Sequence, residues 1–378
     1  MKQEHRYAWA LGFVFVTACG GEPLGSSDEL DAPELVGQSQ EAVQTGYDVQ
    51  IATTVRPYVI GEGFSHFTFV VDTAGNLLRN IRFPLETPVT RPWEVMDTGV
   101  VGPPTAAPYR IEPDLHGAVD VFARSKGGNL WEYYFPDTAD LSSSHRAYNV
   151  SELSGFRAQY GAMAGAPLIV EYGSDGSAVS VIVQRASDHS LYSIDFTKAH
   201  GWAIHPVLDG TNIVVSENAL SSADEQGYFA GRGLSASEDR IGWVATRTVH
   251  KDFAEPFHVT YKFSTPQGTP SVSKLSLAAR FVDDSIKILR DGQWSRVPNC
   301  LVGGSPALRV NYYGVVRGSN GHLFEFSPWG CSDYGEILTS APTPDGDTDV
   351  VFFRGQSGLL HARDTGTGDS WGFDVSLP

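Results

Sequence analysis

Residues 313–326 read YGVVRGSNGHLFEF, and this stretch holds the fold in miniature. A valine run ends in Arg317, a polar turn of Gly, Ser and Asn follows, Leu323 comes six residues after the Arg, and aromatic Phe324 comes next. Apolar runs on either side of a short Gly/Asn turn mark a β-hairpin. The pattern recurs as VFARSKGGNLWEYYF over 121–135 with Arg124, Leu130 and Trp131, and as VIVQRASDHSLYSIDF over 181–196 with Arg185, Leu191 and Tyr192. It recurs again as VVFFRGQSGLLHARD over 350–364 with Arg354 and Leu360. A fifth copy, FTFVVDTAGNLLRNIRF over 67–83, keeps Leu77 but has Val71 in place of the Arg. Two divergent copies complete the series, one around RIGWVATR ending at Arg247, read as a hairpin enlarged by residues 248–257, and one around SIKILRDGQWSRV at 285–297.

Small-residue segments such as GAPLIV (165–170) and GGSPALRV (303–310) precede the hairpins, and aromatic strands with Trp93, Tyr148, Trp202 or Trp371 follow them. Each unit therefore has the four strands of a propeller blade. A lone four-stranded sheet cannot bury both of its faces, so the units must stack on one another. No long stretch keeps apolar residues at helical spacing, while 40 Gly and 22 Pro punctuate short runs of Val, Ile, Phe, Tyr and Thr. The expected fold is all-β: a single β-propeller over residues 50–378, with about seven four-stranded blades. A tandem of β-sandwiches would account for the strands but not for the repeat.

The N-terminus has a different character. Lys2 and Arg6 precede an apolar run from Tyr7 to Ala18, long enough for the core of an export signal and too short to span a bilayer. It ends in Val16, Thr17, Ala18 and Cys19, which resembles the lipobox read by bacterial lipoprotein processing enzymes. The expectation is a signal peptide at 1–18, lipid on Cys19, and a flexible acidic stalk at 19–49. Membrane contact would then run through the N-terminal lipid alone, placing the protein in the cell envelope, at the outer membrane or cell surface.

With 27 Lys and Arg against 44 Asp and Glu, the formal charge is −17. That argues against nucleic acid, whose phosphates need clustered cations. Beyond Cys19, only Cys300 and Cys331 remain, 31 residues apart. In an exported protein they read first as a disulfide and second as two buried thiols. Neither has a partner at ligand spacing, so no metal and no cofactor is expected. The loop DGDTD, with Asp345, Asp347 and Asp349, has carboxylates at alternate positions but reads better as a solvated turn than as a Ca²⁺ site.

The hairpins, the GGSPAL-like segment before them and the Trp after them resemble the repeats of the PLL-like bacterial fucose-binding propeller lectins and, more distantly, the fungal fucose lectins. The resemblance implies a seven-bladed wheel with sugar pockets between neighbouring blades, and fucose-like or methylated glycans as partners. The candidate carbohydrate-binding residues are Trp131, Tyr192, Phe324, Trp202, Trp371, Arg124, Arg185, Arg317 and Arg354. Aromatic faces suit the C–H face of a pyranose, and Arg suits its hydroxyls. Each aromatic has an alternative reading as inter-blade core, and each Arg as a brace for the turn through backbone carbonyls. Arg124 and Arg185 are 61 residues apart but Arg317 and Arg354 only 37, so equivalent sites on every blade are not expected.

No nucleophile elbow, zincin helix or phosphate loop is present, so catalytic residues are not assigned. Three classes stay open: a lectin, a non-catalytic protein-binding scaffold or adhesin, and a polysaccharide hydrolase or lyase with its site in a central funnel. The repeated aromatic hairpins favour the first.

Overall fold

The computed structural model describes residues 58–59, 63–64, 66–82, 92–109, 118–135, 145–172, 178–207, 215–223, 228–233, 241–246, 257–264, 271–273, 276–281, 283–290, 293–309, 313–344 and 349–378. The leader, Cys19 and the stalk lie outside them, as do Asp345 and Asp347. Among the described residues no helix is long and apolar enough to cross a membrane.

Strands β1 (Tyr58–Val59) and β2 (Gly63–Phe64) pair with each other. Sheet 1 follows, with β3 (His66–Val71), β4 (Asn76–Arg82) and β5 (Glu94–Thr98). Sheet 2 has β6 (Val100–Tyr109), β7 (Ala118–Ser125), β8 (Leu130–Phe135) and β9 (Arg146–Asn149). Two short helices, α1 (Val150–Leu153) and α2 (Phe156–Tyr160), interrupt the chain before sheet 3, which has β10 (Met163–Tyr172), β11 (Ala178–Arg185), β12 (Leu191–Thr197) and β13 (Gly201–Pro206). Sheet 4 has β14 (Val215–Ala223), β15 (Tyr228–Gly233), β16 (Ile241–Thr246) and β17 (His258–Ser264). Sheet 5 has β18 (Ser271–Ser273), β19 (Ser276–Arg280), β20 (Ser285–Arg290) and β21 (Gln293–Leu301). Sheet 6 has β22 (Ala307–Leu308), β23 (Gly314–Arg317), β24 (His322–Ser327) and β25 (Gly330–Ile337). Sheet 7 has β26 (Thr343–Pro344), β27 (Val350–Arg354), β28 (Leu359–Asp364) and β29 (Ser370–Ser376). Every sheet is an antiparallel meander in chain order.

The fold is thus all-β; the four hairpins that carry the Arg are the second and third strands of their sheets, and the copy at 67–83 forms the first two described strands of sheet 1. Burial explains their composition. Strand β12 is buried along its whole length, so both faces are Leu, Tyr, Ile, Phe or small polar residues, as a strand covered on two sides requires. The last strands, such as β29, alternate exposed and covered positions because only one of their faces meets a neighbour.

Sheets 1 to 3 are joined by shared cores, and so are sheets 4 to 7. Phe67, Phe69 and Leu77 of sheet 1 pack with Val119, Val121 and Tyr133 of sheet 2, and Phe122 and Leu130 of sheet 2 with Val181, Val183 and Ile194 of sheet 3. Ala230 of sheet 4 packs with Val272 and Leu277 of sheet 5, and Ile288 and Val297 of sheet 5 with Val316 and Phe326 of sheet 6. Val315 and Leu323 of sheet 6 meet Val351 and Phe353 of sheet 7. The last sheet then meets the first, with Val70 and Leu78 packing on Phe352, Leu360 and Val375, and Thr73 N–H donating to Ser376 O at 3.0 Å.

The turns have a repeated node. Gly75, Gly128, Gly321 and Gly358, each four residues past the Arg or its counterpart, have φ between +74° and +86°, a region open to Gly at little cost. Their carbonyls accept the N–H of Val100, Met163, Leu338 and Leu377 at 2.9–3.0 Å, which ties the chain leaving each sheet to that sheet's own hairpin. In sheet 5 Asp284 takes the node at φ +58° and accepts from Val302 N–H at 2.8 Å.

Two sequence readings are corrected, and one hairpin departs from the others in register. RIGWVATR forms β16, a third strand, so the long insertion at 247–256 falls between the third and fourth strands, and Arg247 lies outside the described residues. SIKILRDGQWSRV spans β20 and β21, and the hairpin Arg of sheet 5 is Arg280, six residues before Ile286, with which it pairs. In sheet 3 the turn is one residue longer: Gln184, not Arg185, pairs with the Leu, whereas Arg124, Arg317 and Arg354 pair with Leu130, Leu323 and Leu360.

Cys300, in the last strand of sheet 5, is bonded to Cys331, in the last strand of sheet 6, with a Cα separation of 5.4 Å.

Candidate binding seams between sheets

The seam between sheets 1 and 2 gathers charge over an aromatic floor. The floor is Tyr133 and Phe135 of β8, both buried. The Arg79 guanidinium, on β4, lies 5.1 Å from the centre of the Phe135 ring and bonds Glu94 of β5 at 2.9 Å. Asp97, also on β5, accepts the Tyr133 hydroxyl at 2.6 Å. His145 leans on both rings, with centroids at 5.6 Å from Tyr133 and 5.5 Å from Phe135. Burial, then the Asp97 bond, pushes the Tyr133 phenol far above its ordinary value, so it stays a donor. Burial, then the Arg79 charge, pulls His145 below the usual imidazole value, so its ring is neutral at pH 7. Glu94 keeps more than half its side chain in solvent.

The seam between sheets 6 and 7 is more heavily cross-linked. Glu325 of β24 accepts Arg309 Nη1 at 2.9 Å and the Tyr334 hydroxyl at 2.7 Å. Arg309 also reaches Thr365 and the Asp349 carbonyl across the seam. Arg363 of β28 lies 5.2 Å from the Tyr334 ring centre and donates to Glu336 at 2.7 Å, which also accepts Ser370 Oγ–H. Burial, then the bond to Glu325, pushes Tyr334 up to about 12. With its acids and bases already paired, this seam is built first as a lock between sheets.

Apart from Trp131, the residues singled out from sequence fall elsewhere. Arg317 donates through Nε to the Leu338 carbonyl at 3.0 Å, and Arg354 through Nη1 to the Pro378 carbonyl at 2.6 Å, so both brace the chain leaving the sheet. Arg185 is turned onto Asp188, which it holds well below the usual carboxylate range, and lies 5.7 Å from the Tyr192 ring centre. Arg124 is half-buried at the same register position as Arg317. Tyr192 is buried, and its ring is covered by Tyr160 at 4.3 Å and Phe156 at 5.7 Å. Trp131, Trp202, Phe324 and Trp371 are half-buried against the inter-sheet cores, Trp202 at 5.1 Å from Phe196 with its indole N–H buried and unpartnered. Trp131 alone of these flanks the sheet 1–2 seam.

Arg79, Glu94, Asp97 and His145 were not read from sequence as site residues. One signal was present: Arg79 lies two residues past the repeat Leu, as does Glu325 in its own repeat, on a face turned to a neighbouring sheet. Among the described residues no three His, Cys, Asp or Glu side chains converge as a metal site.

This series of meanders has a counterpart among solved proteins. The BP39L lectin from Burkholderia pseudomallei superposes with a TM-score of 0.55 at 12% identity, covering 87% of this chain and 99% of that one. The fold is shared with a bacterial lectin. An Aleuria aurantia lectin solved with α-methyl-L-fucoside gives 0.47 at 13% identity, over 87% of this chain and 96% of that one. A puromycin-hydrolyzing peptidase of Mycobacterium tuberculosis gives 0.48 at 13% identity, over 88% of this chain and 55% of that one. No protein-family model matches the sequence, and no curated protein matches it.

Proposed function

We propose that this chain is a lectin-like carbohydrate-binding protein: a closed seven-bladed β-propeller, carried on a stalk and anchored in the cell envelope by lipid on Cys19. Closure is supported by the core shared between sheets 7 and 1 and by the Thr73–Ser376 bond. The observation that carries the function is the sheet 1–2 seam, where Arg79, Glu94, Asp97 and His145 converge over Tyr133 and Phe135. Such a site offers a sugar a guanidinium donor, a carboxylate acceptor and a neutral imidazole, with half-buried Trp131 at the edge of the seam as the aromatic wall for its C–H face while Tyr133 and Phe135 support the charges from below. Fucose-like or methylated sugars fit, because a methyl group adds apolar area without a hydroxyl to desolvate. A monosaccharide offers few atoms, so single sites bind weakly and display on a glycan surface supplies avidity.

The test is a glycan array probed with the protein, followed by titration of Arg79→Ala, Glu94→Gln and Trp131→Ala, with near-ultraviolet circular dichroism as the folding check. Arg79→Ala and Glu94→Gln should abolish measurable monosaccharide binding in a folded protein. No glycan signal at high protein concentration would overturn the lectin reading. For the anchor, Cys19→Ser should leave an unprocessed precursor or a released protein, and membrane partition like that of the wild type would refute lipidation.

A further inference from the structure

Trp329 is the most exposed large apolar side chain among the described residues, with 74% of its surface in solvent, and Tyr313 beside it is 45% exposed. Their ring centroids are 6.0 Å apart and the ring planes tilt by 52°. An indole this exposed buries little apolar area in the sheet that carries it, and here a second exposed aromatic accompanies it. The other large exposed apolar residues are aliphatic: Val95, Leu153, Leu301 and Ile337.

The backbone beneath the pair is tied at several points. Trp329 sits in the tight turn between β24 and β25, where its N–H donates to Ser327 Oγ at 3.3 Å. Two residues later Cys331 is bonded to Cys300 of the neighbouring sheet, and Tyr313 is tied at its carbonyl by the Arg309 N–H at 2.8 Å. A binder that is already ordered loses little entropy on association.

We propose that Tyr313 and Trp329 form a second carbohydrate-contact platform, separate from the seams, which stacks on consecutive sugars of a neutral, extended pyranoside chain. The assignment rests on the carbohydrate reading of the protein and extends it to a different surface and a longer ligand. Size decides between occupants: two rings are far less than the roughly 800 Å² per partner of a stable protein interface, but each ring matches one pyranose face. The 6.0 Å separation is of the order of the repeat between neighbouring sugars in an extended chain, so each ring can take its own sugar. The 52° tilt suits a twisted soluble chain and not the flat face of a crystalline polymer. The net charge of −17 excludes polyanionic chains as the favoured ligand.

The experiment uses the full chain in detergent, with two probes: methyl α-L-fucoside for the seam and soluble β-1,4-linked hexasaccharides of glucose and of N-acetylglucosamine for the platform. Trp329→Ala should weaken hexasaccharide binding by about threefold to tenfold, the range expected for one aromatic stacking contact, and leave fucoside titration and the melting temperature unchanged. Trp329→Phe should recover most of the loss, and Tyr313→Ala should reproduce part of it. Hexasaccharide binding by the wild type that is identical in Trp329→Ala overturns the platform while leaving the seam intact. A wild type that binds fucoside but neither hexasaccharide also overturns it, whereas one that binds no glycan at all overturns the lectin reading with it.

Discussion

Arg317 donates through Nε to the carbonyl of Leu338 at 3.0 Å, linking the hairpin of sheet 6 to the chain that leaves the same sheet for sheet 7. The Arg that makes the repeat visible in the sequence is here a brace on the backbone. Arg354 repeats the arrangement on Pro378. Arg317→Ala is expected to lower stability by about 1–3 kcal/mol, the range for a charge-assisted bond to a partly buried carbonyl, with glycan titration unaltered. Denaturant unfolding alongside a binding isotherm checks this, and loss of affinity at unchanged stability would make Arg317 a ligand contact.

The Cys300–Cys331 bond joins the last strands of two neighbouring sheets, across 31 residues of chain. In the chain-entropy picture a loop of that size contributes about 3–4 kcal/mol. Cys300→Ser with Cys331→Ser should lower the unfolding free energy by up to that amount. Both thiols alkylating in native, unreduced protein that is then denatured would show that the bond is not formed.

Gly358 has φ +79° and no atom within 4 Å of where a Cβ would stand. Gly358→Ala therefore isolates the backbone cost of the node and should destabilise by about 1–2 kcal/mol. A neutral result would mean that the turn relaxes to a different conformation.

His145 is held below the ordinary imidazole value of 6.5 by burial and by Arg79. A folded-state value that is depressed means the unfolded chain takes up the proton first. His145 thus favours the folded state above pH 6.5, and this contribution is lost as pH falls below 6.5 towards the folded value. Unfolding midpoints measured across that range should fall with pH in the wild type and fall less in His145→Asn. Equal slopes would remove His145 from the account. Fucoside affinity should weaken over the same interval, because an imidazolium would sit beside the Arg79 charge.

Much of the architecture was legible because β structure is local at the scale of a hairpin. The hydrophobic run ending in Arg, the polar turn and the Leu six residues past the Arg together specify two strands and a turn, and four clear copies established the meander as a unit. The divergent copies were misplaced for a local reason too: in sheet 5 Ile286 replaces the Leu, and in sheet 4 the long insertion drew attention to the wrong loop. The cysteine pair was legible from the expectation of export and from the two cysteines that remain once Cys19 is set aside.

The site was not legible, because it is made between units. Arg79 and Phe135 are 56 residues apart and meet only when sheet 1 packs on sheet 2, and a repeat pattern describes what each sheet has in common, not what faces across a seam. Parity added a second obstacle. Side chains alternate faces along a strand, so the extra residue in the turn after Arg185 puts Gln184 where the other repeats have Arg and turns Arg185 onto Asp188 and Tyr192. The linear chain determined the strands, their turns and their tendency to stack, since these follow from side-chain period and turn chemistry within a few residues. The packing of one twisted sheet on the next alone decided which charges and rings converge, since that depends on register and sheet contact that no single repeat encodes.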